Sequence, residues 1–167
     1  MELTSMASAV GALLKQHDMT VAVSESSSGG LVSAALLSQP GASQYFQAGG
    51  VIYTGPARTE FLGLPPRLPK AVRSSSEPYA ALAAEAIRAR FDTTWGLAET
   101  GAAGPTGNSY GDAAGHTCIA VAGPRGFAHQ STLETASADR EANMWAFAQA
   151  ALDALLECVQ AAAAKRD

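Results

Sequence analysis

Four short stretches of this sequence combine glycines with hydroxyl, carboxylate or guanidinium side chains, the groups that can bind an anion or attack a carbonyl carbon. They are 25–30 (ESSSGG), 50–58 (GVIYTGPAR), 99–107 (ETGAAGPTG) and 137–143 (SADREAN). Glycine lets a backbone approach a ligand closely, and serine can serve as a nucleophile. Each stretch also has a plainer interpretation: a helix cap, a core tyrosine with a solvated arginine, an ordinary loop or a surface ion pair.

The stretch ESSSGG follows an apolar run at 21–23 and precedes an amphipathic run that starts at Leu31. At such a strand-to-helix turn, serine side chains can cap free amides, and the helix N-terminus favours an anion. The stretch matches neither a Walker A loop nor the GxSxG nucleophile elbow. The pattern alone therefore leaves open whether this turn caps a helix, holds a phosphate or carries a nucleophile.

Hydrophobic periodicity places these stretches on the elements of an α/β fold. Five strands are expected near 19–25, 44–54, 93–100, 116–123 and 127–135, with one helix before the first strand, one between the first and second, two between the second and third, and one after the last. Helices alternate with the early strands and a hairpin follows, which favours a mixed sheet covered by helices on both faces. Ligands in such sheets bind beyond the carboxyl ends of the strands, where the candidate loops lie.

Composition narrows the class of protein. The chain has 167 residues, 47% hydrophobic and 16% charged, which fits a single domain over 1–167 with a substantial core. The net charge is −4 without a run of Lys or Arg, so the footprint of a nucleic-acid-binding protein is absent. Neither a signal peptide nor an apolar stretch of ~20 residues is visible, so we expect a cytoplasmic protein with no membrane partner.

The cysteines and histidines give no indication of a metal site. Cys118 and Cys158 form no CxxC pair and fit small core residues. The three histidines, His17, His116 and His129, lie far apart in the sequence without ligand spacing. We therefore expect no metal.

Taken together and in order, six segments resemble the motifs of the CinA C-terminal domain family, the nicotinamide mononucleotide deamidases. The family's E-S-C-T-G-G, P-G-S-S-x-x-F, G-V-V-x-Y-S-N-E-A-K, V-S-E-P, T-G-I-A-G-P and S-G-D-R correspond here to 25–30, 40–46, 50–58, 75–78, 100–105 and 137–140. The resemblance runs over nearly the whole chain. It implies a three-layer αβα sandwich with a mixed, mostly parallel sheet of about five strands, in a stand-alone form without the amino-terminal domain of longer CinA proteins.

The resemblance also implies an activity: hydrolysis of the amide of nicotinamide mononucleotide, a pyridine nucleotide, to nicotinic acid mononucleotide and ammonia, without a metal or organic cofactor. Ser26 matches the family serine and is the candidate nucleophile, Tyr53 and Thr100 would position the carboxamide, and Arg58 stands where the family has a catalytic lysine. The substrate or its phosphate would be held by backbone amides and side chains at Ser28, Gly29, Gly30, Gly101, Gly104 and Arg140.

Several positions depart from the family pattern. Arginine stays protonated where lysine can lose its proton near neutral pH, so Arg58 cannot act as the base of a Ser–Lys pair. Gly55 and Pro56 replace an Asn-Glu pair, Asp112 puts a carboxylate where a cation is expected, and Met144 replaces a second helix arginine. The alternative to an amidase is therefore a non-catalytic nucleotide-binding or regulatory homologue.

Self-association is also expected, as a homodimer or a higher homo-oligomer. Gly49-Gly50, Tyr45-Phe46 and the Pro-rich loop 64–69 lie outside the predicted helix faces. Only 16% of the residues are charged, so few charged side chains are available to keep apolar surface solvated. The family resemblance points the same way.

Overall fold

The computed structural model describes residues 3–164, and its elements follow the predicted order. The helices are α1 (Leu3–Gln16), α2 (Leu31–Leu37), α3 (Gly55–Leu62), α4 (Glu77–Phe91) and α5 (Arg140–Ala163). The strands are β1 (Val21–Glu25), β2 (Phe46–Val51), β3 (Trp95–Ala102), β4 (His116–Ala122) and β5 (Ala128–Glu134). Short 3₁₀ turns lie at Ala42–Gln44 and Pro124–Gly126.

The five strands form one mixed sheet in the order β2-β1-β3-β4-β5. β1 pairs in parallel with β2 and β3, whereas β4 pairs antiparallel with β3 and β5. Four strands therefore run in one direction and only β4 runs against them. The mixed, mostly parallel sheet expected from the sequence is confirmed.

Helices cover both faces of the sheet and complete the three layers. Alternate residues of each central strand enter opposite cores, as Val21 and Ala22 of β1 do. On one face, α1, α2 and α5 pack over the larger apolar core, which includes Leu97 and Ile119. On the other face, α4 and the end of α3 pack over a core rich in alanine.

Small residues let α4 lie close to the sheet. A Cβ atom on Gly96 of β3 would lie 2.0 Å from the carbonyl oxygen of Ala84 in α4. Ser76 caps the start of this helix by accepting a hydrogen bond from the amide of Tyr79. The predicted core positions of Cys118 and Cys158 are confirmed, since both are buried and free.

Tyr45 corrects one premise of the expected self-association. Its ring is fully buried, and its hydroxyl donates a hydrogen bond to the carbonyl oxygen of Leu36 at 2.6 Å. The ring fills the space over Gly11 of α1, where a Cβ atom would lie 2.9 Å from the tyrosine oxygen. Tyr45 is therefore part of the core and contributes nothing to the surface. Within residues 3–164, no helix combines the length and the apolar character needed to cross a bilayer.

Candidate functional site

A pocket of about 270 Å³ lies beyond the carboxyl ends of β1 and β2 and beside the last residues of β3. Its lining includes Ser26, Tyr53, Arg58, Thr100 and Gly101, which come from three of the four stretches singled out in the sequence. Parallel strands end at the same edge of a sheet, so residues that are distant in sequence meet there. The fold thus brings together the four predicted catalytic positions.

Two fully buried carboxyl groups hold the turn between β1 and α2. Glu25, the last residue of β1, accepts hydrogen bonds from the amides of Gly30, Val32 and Ser33 and from the Ser33 hydroxyl, at 2.6–3.0 Å. These amides belong to the start of α2, where a helix lacks intrahelical acceptors. Glu25 therefore takes the place that an external anion would occupy.

Glu99 of β3 holds the other side of the same turn. Its Oε2 atom accepts hydrogen bonds from the amides of Ser26 and Ser28, at 3.1 and 2.8 Å, and its Oε1 atom accepts one from the Thr117 hydroxyl at 2.9 Å. The position of Ser26 is thus fixed through its own backbone. Seventy-three positions separate Glu99 from Ser26 in the sequence, and only the pairing of β1 with β3 brings them together.

A single hydroxyl lies between these two carboxyl groups. The Oγ atom of Ser28 is 3.0 Å from Oε2 of Glu25 and 2.9 Å from Oε2 of Glu99. One hydroxyl hydrogen serves one acceptor at a time, so a proton on Glu99 allows both contacts to be hydrogen bonds. Burial raises the pKa of Glu99, while its hydrogen bonds to Ser28, Ser26 and Thr117 oppose the rise, and the net direction is upward.

The amides predicted to hold phosphate are engaged inside the chain. Those of Ser28 and Gly30 donate to Glu99 and Glu25, and that of Gly29 donates to the carbonyl oxygen of Ser26 at 3.2 Å. Met144 also covers the turn, since a Cβ atom on Gly29 would lie 2.8 Å from its terminal methyl group. The amides of Ser28, Gly29 and Gly30 therefore donate within the chain in this arrangement, and none of them is open to a phosphate.

Ser26 itself keeps a free hydroxyl at the pocket. Its Oγ atom makes no hydrogen bond with any group in residues 3–164, whereas its amide is held by Glu99. Ser27 donates its hydroxyl to the carbonyl oxygen of Gly101 at 2.7 Å. Within 26–30, the amide of Ser27 alone has no acceptor in the described part of the chain.

Arg58 lies on the first turns of α3 and faces the pocket. Its guanidinium donates to the carbonyl oxygen of Pro66 at 2.8 Å and lies 6.0 Å from the centre of the Tyr79 ring. Its Nε atom is buried and has no hydrogen-bond partner among the described residues. The cation is thus held by a carbonyl and an aromatic face, and within residues 3–164 no carboxylate pairs with it.

Arg140, the first residue of α5, reaches the mouth of the pocket from the other side. Its guanidinium donates to the Tyr53 hydroxyl at 3.1 Å and to the carbonyl oxygen of Gly104 at 2.6 Å. Tyr53 is mostly exposed, so this pair lies at the rim. An arginine has five N–H donors, which leaves Arg140 donors for an anion at the rim.

Gly101 and Gly104 have clear packing roles. A Cβ atom on Gly101 would lie 2.3 Å from the carbonyl oxygen of His116, so the close approach of β3 and β4 requires glycine. Gly104 has a φ of +114°, and a Cβ atom there would lie 2.9 Å from the carbonyl oxygen of Ala138. Their predicted role in binding substrate stays a prediction.

Asp112 does not present an unpaired carboxylate to the pocket, although the sequence suggested one. Arg73 pairs with it through two hydrogen bonds, of 2.6 and 2.8 Å. The hydrogen bond from Arg73 lowers the pKa of Asp112 against the opposing effect of burial. The guanidinium therefore compensates the negative charge that the sequence suggested would repel a phosphate.

Part of the pocket wall was not predicted from the sequence. Ser74, Ser75 and Tyr79 line it, and they belong to the end of a long loop and the first turn of α4. The signal was present at Ser76, a helix cap at the end of the loop that joins α3 to α4, but loop geometry cannot be read from residue types alone. Within the described residues, no group of three His, Cys, Asp or Glu side chains is arranged to hold a metal ion.

The three-layer αβα fold is shared with solved structures. A protein titled competence/damage inducible protein CihA, from Agrobacterium tumefaciens, superposes with a TM-score of 0.87 over 94% of this chain and 95% of its own, at 24% identity. A CinA superfamily protein from Klebsiella pneumoniae gives a TM-score of 0.88 over 96% and 99%, at 22% identity. These likenesses show the fold.

The family itself follows from the sequence match. The model of the CinA C-terminal domain matches residues 3–159, and the chain therefore belongs to the CinA family. A CinA-like protein of Synechocystis sp. is 37% identical over 141 residues, which are 84% of this chain and 33% of that protein. One from Desulforapulum autotrophicum is 37% identical over 151 residues, 90% of this chain and 36% of that protein. The chain spans about a third of the length of these relatives.

Proposed function

We propose that this chain hydrolyses the amide of nicotinamide mononucleotide to nicotinic acid mononucleotide and ammonia. The observation that carries the proposal is the free hydroxyl of Ser26 in a pocket that is also lined by Tyr53, Arg58 and Thr100. An amide hydrolase that uses serine needs a nucleophile, donors for the developing oxyanion and a site for the rest of the substrate. Each of these has a candidate at this pocket.

The reaction proposed here has two steps that share Ser26. Its Oγ atom bonds to the carboxamide carbon, the C–N bond breaks, and the serine proton leaves with the nitrogen as ammonia. Water then attacks the acyl-serine, gives the acid product and returns a proton to Ser26. The amide of Ser27 and the hydroxyl of Thr100 are the donors we assign to the oxyanion, and Arg58 adds a fixed positive charge nearby.

The phosphate end of the substrate is assigned to Arg140. Its guanidinium is already oriented by Tyr53 and Gly104 and keeps donors for phosphate oxygens. A planar guanidinium can bind two phosphate oxygens at once, which lysine cannot. This assignment replaces the amides of Ser28, Gly29 and Gly30, which donate to other groups. A cytoplasmic location belongs to the same proposal, in keeping with two buried free cysteines.

Ammonia release from nicotinamide mononucleotide tests the proposal directly. The wild-type chain should release ammonia and the acid product in equal amounts, and Ser26→Ala should abolish both while still binding the nucleotide. Ser33→Ala is the matched control, because that hydroxyl lies in α2 and bonds to Glu25 away from the pocket. Equal turnover by wild type and Ser26→Ala would refute the role of Ser26.

A second candidate function is binding of the nucleotide without hydrolysis. It is favoured by one observation: the Ser26 hydroxyl has no hydrogen-bonded base within the described residues, and Arg58 stays protonated. Calorimetry separates the two. Binding of nicotinamide mononucleotide without any ammonia release over hours would support the binding protein and refute the amidase.

A further inference from the structure

One wall of the pocket is a short piece of backbone, 74–75, held in an unusual conformation. Ser75 is buried and has a φ of +55°, a left-handed conformation that side chains other than glycine adopt at a cost. Such a backbone persists where its surroundings fix it. Two of the side chains that fix this one, Arg73 and His116, lie outside the pocket lining.

Two cationic side chains hold the carbonyl oxygen of Ser75. The guanidinium of Arg73 donates to the carbonyl oxygens of Ser74 and Ser75 at 3.0 and 3.1 Å, while also pairing with Asp112. The Nε2 atom of His116 lies 3.0 Å from the carbonyl oxygen of Ser75. A carbonyl oxygen only accepts, so this nitrogen carries a hydrogen.

The other ring nitrogen of His116 also faces an acceptor. Its Nδ1 atom is paired with the carboxylate of Glu134 on β5, and Asp112 lies 3.8 Å from Nε2. Because both nitrogens meet groups that only accept, the ring must carry both hydrogens, which makes it an imidazolium. Its other neighbours include the Cys118 thiol, 3.5 Å from Nε2, and beyond it Glu77 of α4, which accepts from Thr132.

Ser75 connects His116 and Arg73 to the pocket through its backbone amide. Its amide donates to the hydroxyl oxygen of Thr100 at 3.1 Å. That oxygen therefore acts as an acceptor on its buried side, and the hydroxyl hydrogen of Thr100 donates to no group within residues 3–164. The hydrogen is left for a ligand in the pocket, which Thr100 lines.

We propose that His116 is a positioning residue of this pocket: its imidazolium holds the Ser75 carbonyl, and Ser75 in turn directs the hydroxyl of Thr100 toward the ligand. The inference rests on the proposed function only for the identity of the ligand. His116 touches no reacting atom and lies outside the motifs that matched the family.

The positioning depends on pH because a neutral ring has one hydrogen. Glu134 is the stronger acceptor, so the remaining hydrogen stays on Nδ1, and the lone pair of Nε2 then faces the Ser75 carbonyl. Burial lowers the pKa of His116, but Glu134, the Ser75 carbonyl and Asp112 raise it more, and the net direction is upward. The wall is therefore held at low and neutral pH and released as pH rises through the pKa of His116.

Nuclear magnetic resonance tests this without any ligand. The ring of His116 and the exchange protection factor of the Ser75 amide are followed from about pH 6 to about pH 9. We expect the protection factor to fall about tenfold over the pH range in which His116 loses its proton. A constant protection factor across that range, or a neutral ring at about pH 6, would overturn the inference.

Variants separate positioning from simple packing. His116→Gln keeps a donor near Ser75 but cannot titrate, so the Ser75 amide should lose its pH dependence. His129→Gln, at a partly buried position near the start of β5, should keep it. If His116→Gln does not fold, Glu134→Gln gives the same information, because removing that carboxylate should shift the ionisation of His116 and the Ser75 transition together to lower pH. If the pH at which the protection of the Ser75 amide changes is the same in Glu134→Gln as in wild type, the proposal is contradicted.

Binding links the inference to the pocket. In the Ser26→Ala background, the affinity for nicotinamide mononucleotide should fall about tenfold from low to high pH, and His116→Gln should make the affinity independent of pH in this range. If the affinity follows this profile while the wild type releases no ammonia, the positioning role stands and the amidase proposal fails. If ammonia is released but neither the affinity nor the protection factor of the Ser75 amide changes as His116 loses its proton, the amidase proposal stands and the positioning role fails.

Discussion

At the scale of single residues, Glu99 shows how one buried carboxyl group can shape a site it does not enter. It accepts hydrogen bonds from Ser26, Ser28 and Thr117 and so fixes the turn that presents the Ser26 hydroxyl. Burying a carboxyl group raises its pKa, because water no longer solvates the charge. A buried acid of this kind links stability to pH.

Replacing Glu99 tests this link. Glu99→Ala leaves buried donors without partners and should reduce the free energy of unfolding by at least about 3 kcal/mol. Glu99→Gln should cost about 1 kcal/mol or less, since its amide oxygen can accept from the two amides and its NH₂ group can donate to Thr117. Urea denaturation monitored by circular dichroism measures both.

Wild type and Glu99→Gln together test the sign of the pH dependence of stability. The folded protein holds the Glu99 proton above the reference pKa of 4.5, so the stability contributed by this group is present below 4.5 and is lost as pH rises through the higher folded value. The stability of Glu99→Gln should fall less than that of wild type over this range. Glu60→Gln, at an exposed position, is the control, and a wild type and Glu99→Gln with parallel pH curves would refute the assignment.

Arg58 gives a second prediction at this scale. If a lysine at this position serves as the base in the reaction, Arg58→Lys should raise the rate of ammonia release, because lysine can lose its proton near neutral pH and arginine cannot. A gain of tenfold corresponds to ~1.4 kcal/mol of transition-state stabilisation. Arg67→Lys, on the exposed loop nearby, controls for the substitution itself.

The outcome of Arg58→Lys is informative in either direction. A lysine at 58 can still donate to the carbonyl oxygen of Pro66, so the fold should survive, and circular dichroism checks this. A folded variant with no gain would show that position 58 does not limit the rate by itself. The neighbouring changes at Gly55 and Pro56 would then have to be reversed with it.

The sequence predicted which side chains meet in the pocket better than it predicted the hydrogen bonds of the nearby backbone amides. Ser26, Tyr53, Arg58 and Thr100 meet as expected because each sits at or next to the carboxyl end of a parallel strand. The amides of Ser28 and Gly30 were expected to be open. No local pattern reveals that a glutamate seventy-one positions after Ser28 accepts from its amide, since that contact exists only after strand pairing.

At the scale of elements, the order and type of all helices and strands followed from periodicity, and their ends did not. The sequence pattern predicts a last helix from near Ser137, but α5 begins at Arg140, because Asp139 is its cap and accepts from the amide of Ala142. The same pattern places Trp145 on the inward-facing stripe of this helix, but its side chain is half exposed, whereas Phe147 is buried. Several neighbouring apolar residues fit a helical stripe, and only packing selects among them.

The packing of α4 against β3 yields a prediction at this scale. Gly96→Ala would place a Cβ atom 2.0 Å from the carbonyl oxygen of Ala84 and 2.7 Å from Cβ of Arg88. Helix backbone cannot yield as a side chain can, so the helix must move off the sheet, and we expect a loss of about 2–3 kcal/mol in unfolding free energy. Urea denaturation gives the value.

Gly50→Ala is the matched control for Gly96→Ala. Gly50 lies on the edge strand β2, where the nearest atom to a new Cβ would be 3.7 Å away, an ordinary contact. Its stability should change by less than about 1 kcal/mol. Equal losses in the two variants would mean that the contact of Gly96 with α4 is not the cause.

At the scale of the whole molecule, charge and apolar surface are distributed unevenly around the pocket edge of the sheet. Arg58 and Arg140 give a pocket in an acidic protein its positive charge. Beside it, the edge strand β2 exposes Val51, and α3 exposes Phe61, whose ring lies near Gly50. We name Val51 and Phe61 the β2-edge patch.

The β2-edge patch is where we expect the chain to self-associate. Unpaired edge strands with apolar neighbours favour contact with another chain, and two-fold pairing is the commonest form of assembly. This patch replaces Tyr45, which is buried, as the apolar surface expected to mediate self-association. Phe61→Glu should therefore shift the chain toward monomer, whereas Phe91→Glu, at a comparably exposed phenylalanine on the far end of α4, should not. Light scattering at micromolar concentrations measures both, and a wild-type mass near the 17.0 kDa of one chain, unchanged on concentration, would refute self-association.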